Sequence, residues 1–255
     1  MRQSRHPPGP HDLFQKSNCL FDRRARPPAG PPLDCSYPAK SDRQGRGTDH
    51  GDHALGLGSI AGLARSIPAD QLSVIWIDAH TDINTNLTSP SHNIHGMPLA
   101  AALGLGDSRL YENMGAQVPF LLPENLFYIG TRSVDPGEEE ILAAHNIRTV
   151  RIPEIREKGI ELCARELLDA VKTPYIHLSF DVDFLDAGEF WATGLPIPDG
   201  PSVEEAHQVI RTLFSDPRVC SADFVEYSPL HDTDGSGLST CLSLLQEILD
   251  ALPKE

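Results

Sequence analysis

No run of about 18 consecutive apolar residues occurs in the chain, so the sequence holds no membrane-spanning helix. The opening stretch, MRQSRHPPGPHDLF, lacks the apolar core of a secretory signal, and Asp12, Asp22, Asp34, Asp42 and Asp49 are out of place in a mitochondrial transit peptide. Cysteine is sparse: Cys19, Cys35, Cys163, Cys220 and Cys241 are scattered, odd in number and never arranged as CxxC. That pattern excludes a disulfide framework or a thiolate metal knot and fits free thiols in a reducing compartment. The expected location is therefore cytoplasmic. Basic residues are also in short supply, with 21 Lys and Arg against 36 Asp and Glu and a net charge of −15. The imbalance is uneven: the first 50 residues carry +4 and the remaining 205 carry −19. An acidic body of this kind binds polyanions poorly, so nucleic acid is not an expected partner.

Residues 1–49 are rich in Pro, Arg and Gly, as in RRARPPAGPPLDCSYPAKSDRQGRG, and show neither a 2.0 nor a 3.6 periodicity. They bury too little apolar surface to offset the entropy of ordering and read as a disordered or loosely attached tail. From His50 the character changes, and one domain over 50–255 is expected. A helix through GDHALGLGSIAGLARSI is followed by a strand over Ser73–Ile77, a helix from Met97 to Leu103 and a strand over Asn125–Gly130. A helix capped by Asp135 with Pro136 at its first position comes next. The strand RTVRI, a helix through GIELCARELLDAV, the strand Tyr175–Phe180, a helix through SVEEAHQVIRTLF, the strand VCSADFVE and a final helix through LSTCLSLLQEILDAL complete the series. Continuous apolar strands alternating with amphipathic helices predict an α/β domain with a mostly parallel sheet covered on both faces.

Three of these strands run directly into carboxylates. The first leads into DAHTD, with Asp78, His80 and Asp82 spaced two apart; the second into DVD, with Asp181 and Asp183; the third ends in Glu226. Side chains two apart in an extended segment point the same way, and ligands of open parallel sheets gather at the carboxyl ends of the strands. His53, at the start of a helix, can add a further imidazole. Lys and Arg are absent from both DAHTD and DVD, and crowding unpaired acids out of water costs several kcal/mol each. Divalent metal is the natural countercharge. Carboxylate and imidazole without thiolate favour Mn²⁺, Mg²⁺, Fe²⁺ or Zn²⁺. So many anionic ligands point to two ions, which together can draw a nucleophile from water at neutral pH.

GDHALGLGSIAG, VIWIDAHTDINT, SPSHNIHGMPLAA, YIGTRSVDPGE, HLSFDVDFLD and ADFVEYSPLHD follow one another in the order and spacing of the ureohydrolases, and the chain resembles the arginase branch of that family over about 50–252. The resemblance implies a three-layer α/β/α fold, a pair of Mn²⁺ ions and hydrolysis of the guanidino group of L-arginine to urea and L-ornithine. It also implies a homo-oligomer, trimeric or hexameric. By matching position, His53, Asp78, His80, Asp82, Asp181 and Asp183 would be metal ligands. His95 would be the proton shuttle, and Glu226 the carboxylate that meets the guanidinium. Asp183 would also hold a proton during turnover. Asn84, Ser89, Ser91 and Asn93 would meet the substrate α-carboxylate, and Asp135 and Glu138 its α-ammonium.

The chain departs from that family at several points. Phe184 follows DVD where a small residue is usual, Leu195 replaces the threonine of TGTP, Ala54 replaces a serine, and Tyr227–Pro229 reads YSP in place of VNP. Nothing before His50 reads as a strand, so the amino-terminal edge of the sheet is expected to be incomplete. A catalytically weakened or inactive metal-binding relative, or another ureohydrolase such as an agmatinase or formimidoylglutamase, remains open on the sequence.

Overall fold

The apolar run before DAHTD forms a six-residue strand, β1 (Leu72–Ile77), with every residue buried. The computed structural model of the chain describes residues 51–252. The tail expected over 1–49, and the sheet edge expected to be incomplete because of it, lie outside those residues.

The elements follow the expected alternation. Helix α1 (Leu55–Ala64) precedes β1, and the short, buried α2 (Pro98–Ala102) follows it. Then come β2 (Leu126–Thr131), α3 (Pro136–His145), β3 (Arg148–Arg151), α4 (Ile152–Lys158), α5 (Ile160–Ala170), β4 (Tyr175–Asp181), α6 (Val203–Phe214), β5 (Val219–Val225) and α7 (Ser236–Ala251). The capping expected at α3 is present, with Asp135 extended at the N-cap and Pro136 next to it. Helix α6 starts from a capping box in which Ser202 Oγ accepts from Glu205 N–H and the Glu205 carboxylate accepts from Ser202 N–H.

Helix α4 departs from the expected pattern. RTVRI was expected to be a strand throughout, but Ile152 opens a helix instead, because Pro153 has no N–H to give the ladder and suits a first helical turn. Gly159, at φ 85°, then separates α4 from α5. Such a backbone conformation is open to glycine and strained for other residues.

All strand pairings are parallel, and the order is β3-β2-β1-β4-β5. Side chains of alternate strand residues enter two separate cores. Ile75, Ile77, Phe127, Ile129, Leu178 and Phe180 pack with residues of α4–α7 on one face. Leu72, Val74, Trp76, Leu126 and Tyr128 pack with residues of α1–α3 on the other. This is the expected three-layer α/β/α arrangement.

The chain fills the sheet outward from β1 to β3, then returns to the far side of β1 to add β4 and β5. The strand order therefore reverses between β1 and β4, where open parallel sheets form their ligand crevice. Ile77 pairs with Phe180 across that boundary, so Asp78 and Asp181, the next residues on each strand, come out level.

Phe184 is accommodated in the core and stays out of the crevice. It is fully buried and packs edge-on against Phe180. A Cβ on Gly130 would stand 2.4 Å from its ring, so the glycine makes the space that the phenyl group fills.

Candidate metal centre

The first cluster forms around His53, which α1 brings to the level of the strand ends. Its Nδ1 lies 2.8 Å from Asp78 Oδ2, 3.0 Å from Asp181 Oδ2 and 3.2 Å from Asp82 Oδ2. Nε2 is 2.8 Å from Ser179 Oγ, and the ring stacks on Trp76 with centroids 3.7 Å apart. The Trp76 indole in turn donates to Asp78 Oδ2 at 2.9 Å. Ser179 and Trp76 were missed from the sequence although the signal was there: each lies two residues before a strand-end aspartate, on the same face of its strand.

The second cluster shares Asp78. His80 Nδ1 lies 2.9 Å from Asp183 Oδ2 and 3.4 Å from Asp78 Oδ1. Asp78 thus turns one oxygen to each histidine. Short backbone contacts hold the acids: His80 N–H donates to Asp78 Oδ1, Asp183 N–H to Asp181 Oδ1, and Ala79 N–H to Asp183 Oδ1. Asp82 sits at φ 48°, a left-handed conformation that aspartate tolerates, and so turns its carboxylate toward His53.

The electrostatics of the two clusters reflect crowding. Burial pushes up the pKa of Asp181, Asp82 and Asp183, and neighbouring carboxylates add to the rise; Asp183 reaches about 7. Burial opposes charge on His80, but Asp183 and Asp78 overcome it and push its pKa up to about 12. His53 is likewise raised well above its ordinary value against burial, chiefly by Asp181 and Asp78. Burial acts to raise Asp78, yet contact with the two histidines holds it below the usual carboxylate range.

These residues fit a pair of divalent cations. His53 Nδ1 faces three carboxylate oxygens at 2.8–3.2 Å yet is left without a hydrogen bond. One ring nitrogen carries at most one proton and cannot serve three acceptors. A cation at their meeting point would satisfy all four atoms. Of the three groups with ligand spacing among the described residues, two lie at these clusters, His53–Asp78–Asp82 and Asp78–His80–Asp183, while the third, Asp52–His95–Glu226, is less buried. Two divalent charges would balance the four aspartates that line them.

The remaining candidates surround these clusters. Glu226 leaves β5 at φ 67°; its N–H donates to Gly51 O, and its Oε1 accepts from His53 N–H at 2.8 Å. Burial raises its pKa. His95 is half-buried and groups with Glu226 and with Asp52, which the sequence did not single out. Asp52 Oδ2 is 3.6 Å from His95 Nδ1, and its charge raises the imidazole pKa. Backbone bonds from Asn84 N–H to Gly96 O and from Leu99 N–H to Asp82 O tie the His95 segment to the DAHTD loop.

Asn84 and Asp135 are brought together, with Asn84 Nδ2 donating to Asp135 Oδ2 at 2.9 Å. Glu138 lies beneath them, buried, with Oε1 accepting from Ile83 N–H and Oε2 from Asp135 N–H. Ser89 is buried, while Ser91 and Asn93 are exposed; Ser89 and Ser91 accept from His92 and Asn93 N–H within one tight loop. Leu195 is 51% exposed. It follows Gly194, whose Cβ, if present, would stand 3.8 Å from Glu226 Oε2.

Comparison with known proteins points to one family. Residues 50–250 match the Arginase family. The arginase of Bacillus subtilis is 38% identical over 200 residues, an alignment covering 78% of this chain and 67% of that protein. Its crystal structure superposes with a TM-score of 0.74 over 78% of this chain and 69% of the other. The Entamoeba histolytica arginase, solved in complex with L-ornithine, is 34% identical in the superposition, with a TM-score of 0.72 over 78% of this chain and 67% of its own. The chain spans about two thirds of the length of the curated relatives it matches. With the fold, the strand-end acids and these similarities in agreement, the chain belongs to the Arginase family, within the ureohydrolases.

Proposed function

We propose that this protein is a binuclear manganese hydrolase that cleaves the guanidino group of L-arginine to urea and L-ornithine, acting as a cytoplasmic homo-oligomer, trimeric or hexameric. The observation that carries this reading is the division of the Asp78 carboxylate between two histidine–carboxylate groups at the β1–β4 boundary. His53, Asp82 and Asp181 would hold one ion and His80 and Asp183 the other, with Asp78 common to both. When bound, the pair supplies countercharge and a nucleophile drawn from water at neutral pH.

The protein's own groups do the rest. The Glu226 carboxylate receives the flat guanidinium, whose paired N–H donors match two carboxylate oxygens. Gly194 presents no side chain beside Glu226 Oε2. The Asp183 carboxylate holds the proton released as water attacks the guanidinium carbon. His95, close to Glu226 and with its pKa raised by Asp52, passes a proton to the departing amine. Asn84, Ser89, Ser91 and Asn93 meet the α-carboxylate. Asp135 and Glu138 meet the α-ammonium, and Glu138, by accepting from Asp135 N–H, also holds the Asp135 backbone in place.

Purified protein loaded with Mn²⁺ and given L-arginine, agmatine and formimidoylglutamate in separate assays tests the substrate. Urea from L-arginine is expected. Urea from agmatine alone would move the assignment to an agmatinase, and formamide from formimidoylglutamate to a formimidoylglutamase.

A second reading, a catalytically weakened or inactive metal-binding subunit, is favoured by Leu195, which offers no hydroxyl beside the Glu226 approach. A lost hydrogen bond to a charged group is worth about 1.5–3 kcal/mol, or about ten- to a hundred-fold in rate. Leu195→Thr should raise kcat by about tenfold or more if the enzyme is merely weakened. It should change stability by less than about 0.5 kcal/mol at so exposed a position. No gain from Leu195→Thr, in protein that retains two ions and makes no urea, would support the inactive subunit.

A further inference from the structure

Arg132, just past the end of β2, has a guanidinium that ends on backbone carbonyls from three segments. Nε donates to Pro198 O at 2.9 Å, and Nη1 donates to Gly130 O and Phe184 O, each at 3.2 Å. Three more carbonyls crowd Nη2: Asp183 O at 2.9 Å, Leu185 O at 3.0 Å and Ile197 O at 2.8 Å. Among the described residues it makes no ion pair, although the site acids are near enough to favour its charge, opposing the burial that lowers its pKa.

The backbone of the same residue joins the other half of the second cluster. Arg132 N–H and Ser133 N–H both donate to Ala79 O, at 2.8 and 3.0 Å. Ala79 stands between Asp78 and His80, and its own N–H donates to Asp183 Oδ1 at 3.2 Å. A closed circuit results: main chain of Arg132 to the Asp78–His80 segment, side chain of Arg132 to the Asp183 turn, and that turn back to Ala79. The loop carrying Ile197 and Pro198 closes on the guanidinium through Gly200, where a Cβ would stand 2.4 Å from Nη2 and 2.8 Å from Asp186 N. A planar fork of five N–H donors can reach carbonyls on several sides at once, whereas a lysine ammonium presents three donors from one point.

We propose that Arg132 is a positioning residue of the metal centre, holding the Asp183 carboxylate against His80 and thereby setting the affinity of the ion bound by Asp78, His80 and Asp183, while leaving the ion at His53 unaffected. This rests on reading the cluster as a two-metal centre.

The test is a direct Mn²⁺ titration of parent, Arg132→Lys and Gly200→Ala proteins, following free Mn²⁺ by electron paramagnetic resonance. Gly200→Ala disturbs the same clamp from its other side and carries the test if Arg132→Lys does not fold. Parent protein should bind two ions. Each variant should keep one at parental affinity and bind the second about 10–100-fold more weakly, the usual cost of losing a group that orients a ligand. Two ions at parental affinity in folded variants, or equal weakening of both, would overturn the role of Arg132. A parent that binds no Mn²⁺ would instead remove the two-metal reading itself, and the proposal with it.

Discussion

Among the described residues three settings for acids stand out, and the contrast between surface and crevice is the sharpest. At the surface Glu139 pairs with Arg151, Glu154 with Arg148 and Glu205 with Arg156. At the ends of β1 and β4 four aspartates crowd two histidines, and among the described residues none of them pairs with a lysine or arginine. Exposed ion pairs contribute about 0–1 kcal/mol, whereas a buried acid without countercharge costs several. The fold accepts the larger cost where the acids and histidines have the spacing to hold cations. Glu138 is the intermediate case: buried, and served by two backbone N–H groups. Burial pushes its pKa up to about 7 even so.

Removing one acid of each kind should separate these three settings. The largest effect is expected from Asp181→Asn, which keeps an acceptor for Asp183 N–H and removes a crowded charge. Manganese retained after gel filtration should drop, and urea production should fall by about 10³-fold, the equivalent of about 4 kcal/mol of transition-state stabilisation. In metal-free protein the same change relieves like-charge repulsion, so the unfolding temperature should hold or rise. A lower unfolding temperature without metal would show that the acids stabilise the fold and are not held in readiness for cations.

Glu138→Ala leaves the buried N–H groups of Ile83 and Asp135 without an acceptor. It should cost about 2 kcal/mol in a urea-unfolding titration, the relief of a buried charge offsetting part of the loss. An unchanged midpoint would mean that these N–H groups find other acceptors.

The smallest effect is expected at Asp216, whose pKa the Arg218 guanidinium holds below the ordinary 3.8. A depressed folded pKa adds stability above the unfolded value, and that stability is lost as the pH falls through the folded one. Parent should therefore exceed Asp216→Asn by at most about 1 kcal/mol near neutral pH, with the gap closing in acid. A gap that persists in acid would assign the effect to packing.

The fold and much of the site were legible because they depend on short-range pattern. Apolar runs bounded by helix caps located each described strand to within a residue or so, and spacing by two marked Asp78, His80 and Asp82 as a set. The same rule would have found Trp76 and Ser179. Helix α4 was hidden because its first turn, Ile152 and Pro153, continues an apolar strand in composition. Arg132 carried no local signal, since most of its acceptors lie 51–66 residues away.

By itself the sequence determined the alternation of strands and helices, the acids at the strand ends and the need for a countercharge. Those follow from side-chain chemistry and from periods of two and 3.6 residues. Only the tertiary structure decided that β1 and β4 are neighbours, that Asp78 is shared between two histidines, that Phe184 belongs to the core and that Arg132 closes the rim. Each of those depends on distances between residues far apart in the chain, and it is the strand order that sets them.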